Sequence, residues 1–513
     1  MSSCTSAPER DPNTIFRYNE FSGISSLDPA FARVQSNIWA THQIFNGLVE
    51  MDNDLNVVPS IAKSWIVQDS GKTYEFALRT DVFFHKHEAF GEDSTRMVTA
   101  HDFVYSLDRL ADSRIAAPGA WVMKDVDTLY AVNDSTLRIQ LNQPFAPFLG
   151  LLTMKYCSVV PQEIIELGDF SSQPIGTGPF YLKVWADNEV MILRKNPLYF
   201  EVENGKQLPH LESVVISFIP DKQSSYMEFL SGRQDLISGL DASYKDDLLT
   251  SDGELQPKHA NDFVLQKSPY LNTEYLAFYV PDASEINNPL IRKAINLGFD
   301  KEPMMKYLRN GVGEPATGGM IPAGLPGFQS HIGFDYNPQL AAQLLAEAGY
   351  PNGEGLQAIP LYTTSNYLDL CEYIQGQLSS LGIVLKVEVL PPSTLREKKA
   401  AGGLSFFRAS WIADYPDAEN YLSLFYSSNT APNGPNYTHY SNGRFDSLYV
   451  KSRTESDAEV REALYKSLDS LVMSEAPVVP LYYDQVVRVF PKSIEGLEPN
   501  ALNLLTLKHV QKK

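Results

Sequence analysis

Residues 406–426, FFRASWIADYPDAENYLSLFY, set carboxylates where a hydrophobic strand gives way to a helix. GLSFFRASW reads as a strand, and DAENYLSLFY as a helix after an acidic, proline-broken loop. Asp414 falls just past the carboxyl end of that strand. In open α/β sheets ligands sit beyond such ends, so Asp414 either faces a cleft or is a solvated loop carboxylate. Asp417 directly precedes the helix and is expected to cap it.

Other groups with chemical potential are weaker. The loop FHKHEAFGEDSTRMVTAHDF carries His85, His87 and Glu88. Two histidines at i, i+2 with one glutamate lack a secure zinc geometry, so a solvated loop is expected and no metal. GTGPF at 176–180 has no lysine and opens no helix, and reads as a turn. The chain has no G-x-S-x-G, P-loop, H-E-x-x-H or G-x-G-x-x-G in a βαβ setting. Neither an enzyme nor a cofactor is expected. Cys157 and Cys371 lie in apolar surroundings and read as small buried hydrophobes. No cysteine spacing suggests zinc or a disulfide framework.

The elements that must position these groups alternate. KTYEFALRTDVFFH reads as a half-buried strand pair with Tyr74, Phe76 and Leu78 on one face, and STLRIQL and EVMILRK read as strands. TAHDFVYSLDRLAD carries Phe103, Val104, Leu107 and Leu110 at helical spacing. NPLIRKAINLGFD and NPQLAAQLLAEAGYP each open on an Asn cap, Asn288 and Asn337, with Pro at the first helical position, and Gly349 stops the second. YLDLCEYIQGQLSSLGIVLKVEVL is a helix, a stop at Gly382, then a strand, and EVREALYKSLDSLVMSEAPVVPLYY closes with another helix and strand. Alternating helices and strands predict βαβ units on a largely parallel sheet in an α/β protein.

A chain of 513 residues exceeds one core and implies two or three domains. Its 43% hydrophobic and 20% charged residues are globular proportions. The 27 Tyr and 26 Phe suit a large core or an aromatic-walled cleft. A net charge of -20 argues against nucleic acid. No run approaches 18 apolar residues, so nothing spans a membrane. The start, MSSCTSAPERDPN, resembles a bacterial lipoprotein processed ahead of its cysteine, with lipid on Cys4. An ordinary N-terminus with one thiol is the alternative.

Six blocks in order resemble the bacterial extracellular solute-binding proteins of family 5, which serve oligopeptide, dipeptide and nickel ABC importers. They are SLDPAF…IFNGLVEMD…VVPSIAKSWIVQDSGKTYEFALRTDVFFH, VTAHDFVYSLDRLAD, PIGTGPFYLKVWADNEVMILRKNPLYF, PLIRKAINLGFDKEPM, AAQLLAEAGYP and FFRASWIADYPDAENYL. The resemblance implies a periplasmic-binding-protein-like two-lobed clamshell (type II, cluster C) with an additional domain. It implies domain I at 1–46, 173–270 and 484–513, domain II at 47–172 and domain III at 271–483, with crossings near Tyr270 and Tyr483. By the same resemblance, a peptide is held between the lobes and delivered to an ABC permease and ATPase by a monomer in the periplasm or at the cell surface. Asp414 of the W-x-x-D stretch would take the peptide's α-ammonium group. Arg408 would meet its carboxylate or form an internal salt bridge, and Trp411, Ile412 and Tyr415 complete the implied binding set. Some oligopeptide binders carry a cysteine where this chain has Ile412, so a disulfide brace of the loop is absent and a more mobile loop is expected. An oligosaccharide, a metal chelate or a signalling role are alternatives. Only 5 Trp residues and the peptide-type spacing after Trp411 favour peptides over sugars.

Overall fold

The computed structural model describes residues 12–513, and Cys4 lies outside them. The chain divides into two compact units. The first comprises residues up to Leu248 with Leu255–Lys267 and Val486–Lys513; the second comprises Leu249–Glu254 and Ser268–Gln485.

The first unit contains two four-stranded sheets. One is ordered β1-β8-β7-β6 and the other β2-β3-β5-β4. In the first sheet, β1 (Ile15–Asn19) pairs parallel to β8 (Ser213–Ser217). Antiparallel β7 (Val190–Lys195) and β6 (Phe180–Ala186) follow. Phe16, Phe180, Leu193 and Ile216 from this sheet are fully enclosed with Ile44 and Phe45 at the end of α1 (Gln35–Ile44). The second sheet is wholly antiparallel: β2 (Ala62–Gln68), β3 (Thr73–Leu78), β4 (Val126–Asn133) and β5 (Thr136–Leu141). Tyr74, Phe76 and Leu78 are all buried, as their alternation requires. The expected second strand of that stretch does not form: Phe83 makes only an isolated bridge with Met97. Helix α2 (Ala100–Ala111) starts in a capping box, with the Thr99 side chain bonded to the backbone of Asp102 and the Asp102 side chain to that of Thr99.

In the second unit the strand order is β13-β9-β12-β10-β11. Strands β10 (Ile359–Thr363), β11 (Leu385–Val389) and β12 (Phe406–Ile412) are mutually parallel where they pair. The long β9 (Phe263–Phe278) is antiparallel to β12. The chain passes between units inside β9, at Lys267 and Ser268, and inside β13 (Val478–Pro491), at Gln485 and Val486. The expected largely parallel sheet is therefore mixed, because β9 is a return strand rather than part of a βαβ crossover. Helices α3 (Pro289–Leu297) and α4 (Pro338–Glu347) are capped by the side chains of Asn288 and Asn337, each with Pro in the first turn. With α5 (Leu368–Ser379) they cover an enclosed core that includes Leu276, Ile295, Leu345, Ile374 and Phe406.

Candidate ligand-anchoring site

Strand β12 is held on one side by β9 in a register that pairs Ile412 with Asn272, Ser410 with Glu274 and Arg408 with Leu276. The alternation of a strand puts Arg408, Ser410 and Ile412 on one face and Trp411 on the other. The pairing continues one residue past the strand, where the Ala413 amide donates to the Leu271 carbonyl at 2.8 Å. Asp414 follows at once and is exposed.

The loop after β12 is fixed from beneath by Asn420. Its Oδ1 accepts the Trp411 Nε1–H at 2.8 Å and the Asp414 backbone N–H at 3.2 Å, and its Nδ2 reaches Asp414 Oδ2 at 3.5 Å. Asn420 is buried, in the helical turn Glu419–Leu422. That turn is shorter than the expected helix and gives way to a 3-10 turn, Ser423–Phe425. Asp417 stands one residue ahead of the N-cap position, Ala418; its Oδ1 accepts the Glu419 N–H at 2.8 Å and the Tyr465 hydroxyl at 2.7 Å. Burial raises its pKa. One amide side chain thus ties the Trp411 ring to the backbone and carboxylate of Asp414, in a loop that has Ile412 where some oligopeptide binders carry a cysteine.

Tyr415 is buried, and its hydroxyl donates to Glu419. Glu419 also accepts from the Tyr449 hydroxyl and lies 3.5 Å from Arg453 Nε. Burial pushes the Glu419 carboxyl up, against the lowering effect of Arg453. The Tyr415 side chain therefore belongs to the interior support of the loop. Ile412, at 47% exposure, faces outward.

Arg408 is ion-paired with Glu274 of the neighbouring strand. Its guanidinium lies over the Tyr367 ring, 3.4 Å from the centroid. Asn272 Nδ2 donates to Glu274 Oε1 at 3.2 Å and to Asp484 Oδ2 at 3.3 Å, and Asp484 binds Arg309 at 2.7 Å. The internal bridge, one of the two readings open for Arg408, is the arrangement present. The structure brings Trp411, Ile412 and Asp414 together at one strand end, with Arg408 further back along the strand. Asn420, Glu274 and Glu419 are the supports that sequence reasoning passed over. The one signal available for Asn420 was its helical position shortly after W-x-x-D.

The histidine loop is corrected. His85 is buried rather than solvated. Its Nδ1 accepts the Gly176 N–H at 3.2 Å and its Nε2 lies 3.0 Å from the Gly178 carbonyl, which fixes Nε2 as the protonated nitrogen. Burial lowers its pKa to about 4. GTGPF needs glycines there: a Cβ on Gly176 would stand 2.1 Å from the Ile44 carbonyl oxygen at the end of α1. His87 instead accepts the Ala89 N–H at the start of a short 3-10 turn, Glu88–Phe90. Among the described residues no three His, Cys, Asp or Glu side chains gather as a metal site. Cys157 and Cys371 are buried free thiols.

The chain is thus an α/β protein in two compact units, with the exposed Asp414 held at the end of a sheet strand. Residues 56–433 match the family model for bacterial extracellular solute-binding proteins, family 5 Middle, and the chain belongs to that family. It is similar to the glutathione-binding protein GsiB of Salmonella choleraesuis (strain SC-B67), with 26% identity over 483 residues that cover 93% of this chain and 90% of the relative. Among solved structures it is similar to the ABC transporter-associated periplasmic binding protein DppA of Helicobacter pylori in complex with peptide STSA. The TM-score is 0.80 at 26% identity, covering 97% of this chain and 98% of that one. The fold also matches NikZ of Campylobacter jejuni in complex with Ni(L-His), with a TM-score of 0.79 at 20% identity, covering 98% of this chain and 100% of the other. The fold is thus the periplasmic-binding-protein-like α/β fold of family 5. No helix among the described residues is long and apolar enough to cross a membrane.

Proposed function

We propose that this protein is the extracytoplasmic substrate-binding protein of an ABC importer, and that it binds peptides by their α-ammonium group at Asp414. The observation that carries the reading is the exposed Asp414 carboxylate at the end of β12, its backbone fixed through Asn420 to Trp411. A peptide's side chains vary but its amine and backbone do not, so a receptor for many sequences must hold those constant parts. The similarities to a glutathione-binding and a peptide-bound periplasmic protein support the same ligand class. The protein returns its ligand chemically unchanged to a permease and ATPase in the membrane, and it acts as a monomer. Cys4 carries lipid that tethers it there; small residues before the cysteine and a polar, proline-containing segment after it support this.

Native mass spectrometry of the purified protein tests the ligand class. Peptides of free N-terminus are expected among co-purified species, and a sugar or metal chelate instead would refute the reading. Expressed with a lipoprotein leader, the protein is expected in the membrane fraction, and Cys4→Ala in the soluble one. Membrane recovery unaffected by that substitution would refute the anchor.

A further inference from the structure

We infer, on the basis of the peptide reading above, that the protein recognises its peptides from the amine end alone and accepts C-terminal amides as well as free acids, because Glu274 already occupies Arg408. A guanidinium receives a carboxylate along an edge, through a planar fork of N–H groups. In Arg408 the Nη2 group binds Glu274, one face of the fork is covered by Tyr367, and Nε is buried without a hydrogen-bond partner, so the pairing is one-pronged and a ligand carboxylate could reach the rest of the fork only by entering the protein interior. Only 13% of the Arg408 side chain and 4% of the Glu274 side chain are exposed.

The neighbouring charges close the account. Arg309 is bound to Asp484 at 2.7 Å, and Asn272 donates to both Glu274 and Asp484. Two arginines meet two carboxylates, so the group is neutral and its acids are joined by one amide. A peptide carboxylate entering here would have to displace a buried carboxylate and leave it without its counter-charge, which opposes the exchange. A further cation, Lys399, holds its ammonium over the Tyr437 ring, 4.3 Å from the centroid. The net charge of -20 offers a ligand carboxylate no long-range attraction. Glu274 thus acts as an internal stand-in for a ligand carboxylate, which makes it a specificity-determining residue.

Titration calorimetry with tri-alanine and tri-alanine amide, and with the tetra- and penta-alanine pairs, tests this. The native protein is expected to bind each amide within about threefold of its free acid. Glu274→Gln keeps the shape but removes the charge, and is expected to create a preference for the free acid of about tenfold or more. A tenfold preference for the free acid in the native protein would overturn the inference while leaving the peptide reading intact. An unchanged ratio in a folded Glu274→Gln protein would overturn the role given to Glu274. Binding of none of these peptides would overturn the peptide reading and this inference together.

Discussion

Asn420 sets the geometry at the residue scale. Removing its side chain leaves the Trp411 indole N–H and the Asp414 backbone N–H without their acceptor. A buried donor without a partner costs about 1–3 kcal/mol. Both donors are only partly buried, so Asn420→Ala is expected to lower unfolding free energy by about 1 kcal/mol, the low end of that range, in denaturant titrations and to weaken peptide binding as the loop loosens. Unchanged stability and affinity would remove Asn420 from the account. The positions of Trp411 at the strand end and of Asp414 just past it were legible, because they follow from local order: strand, loop, helix. Asn420 lay in a stretch read only as a helix, and no sequence pattern separates a bracing amide from a surface one. Glu274 was harder still. It lies 134 positions from Arg408, and their meeting depends on the β9–β12 register, which no local pattern encodes.

Asp469 makes the corresponding case at the scale of elements. It sits on α7 (Ala458–Glu475, with α6 assigned to Gly443–Thr454) and is fully buried. Its carboxyl oxygens accept the Met320 N–H at 2.9 Å and the Ile321 N–H at 3.4 Å. A Cβ on Gly319 would stand 2.1 Å from Asp469 Oδ2, so the loop and helix approach through a glycine. Burial raises the Asp469 pKa to about 7 from the ordinary 3.8, against the two backbone hydrogen bonds. The unfolded chain thus loses this proton near pH 4 while the folded chain keeps it to about pH 7. The contribution to stability is fully present below pH 4 and is lost as pH rises to about 7. Asp469→Asn presents an N–H₂ group to one of two N–H donors, and is expected to destabilise the protein by about 1–3 kcal/mol at pH 5. That gap should narrow by pH 8, since only the native carboxyl loses stability in between. Melting temperatures of both proteins at the two pH values check this; a gap that does not change with pH would contradict it. The caps Asn288 and Asn337 were legible because an N-cap is a contact between near neighbours in sequence. Sheet direction was not, because the return of β9 against β12 is set by distant packing.

For the whole molecule, the chain passes between the units inside β9, inside β13 and at both ends of Leu249–Glu254. We propose that residues 47–172, with the antiparallel β2-β3-β5-β4 sheet, form the additional domain. More than one unit was legible from chain length alone; the placement of side chains after β12 was not. The proposed ammonium–carboxylate contact at Asp414 is what would hold the peptide. Loss of the counter-charge to a buried ligand charge costs about 2–5 kcal/mol, so Asp414→Asn is expected to weaken free-amine peptides by one to a few powers of ten. Calorimetry of one peptide with a free and with an N-acetylated terminus, against native and Asp414→Asn protein, measures that contact directly. The account predicts tight binding only for the free-amine peptide on the native protein, with little further loss when both changes are combined. Equal affinity of the native protein for the free and acetylated peptides would contradict it.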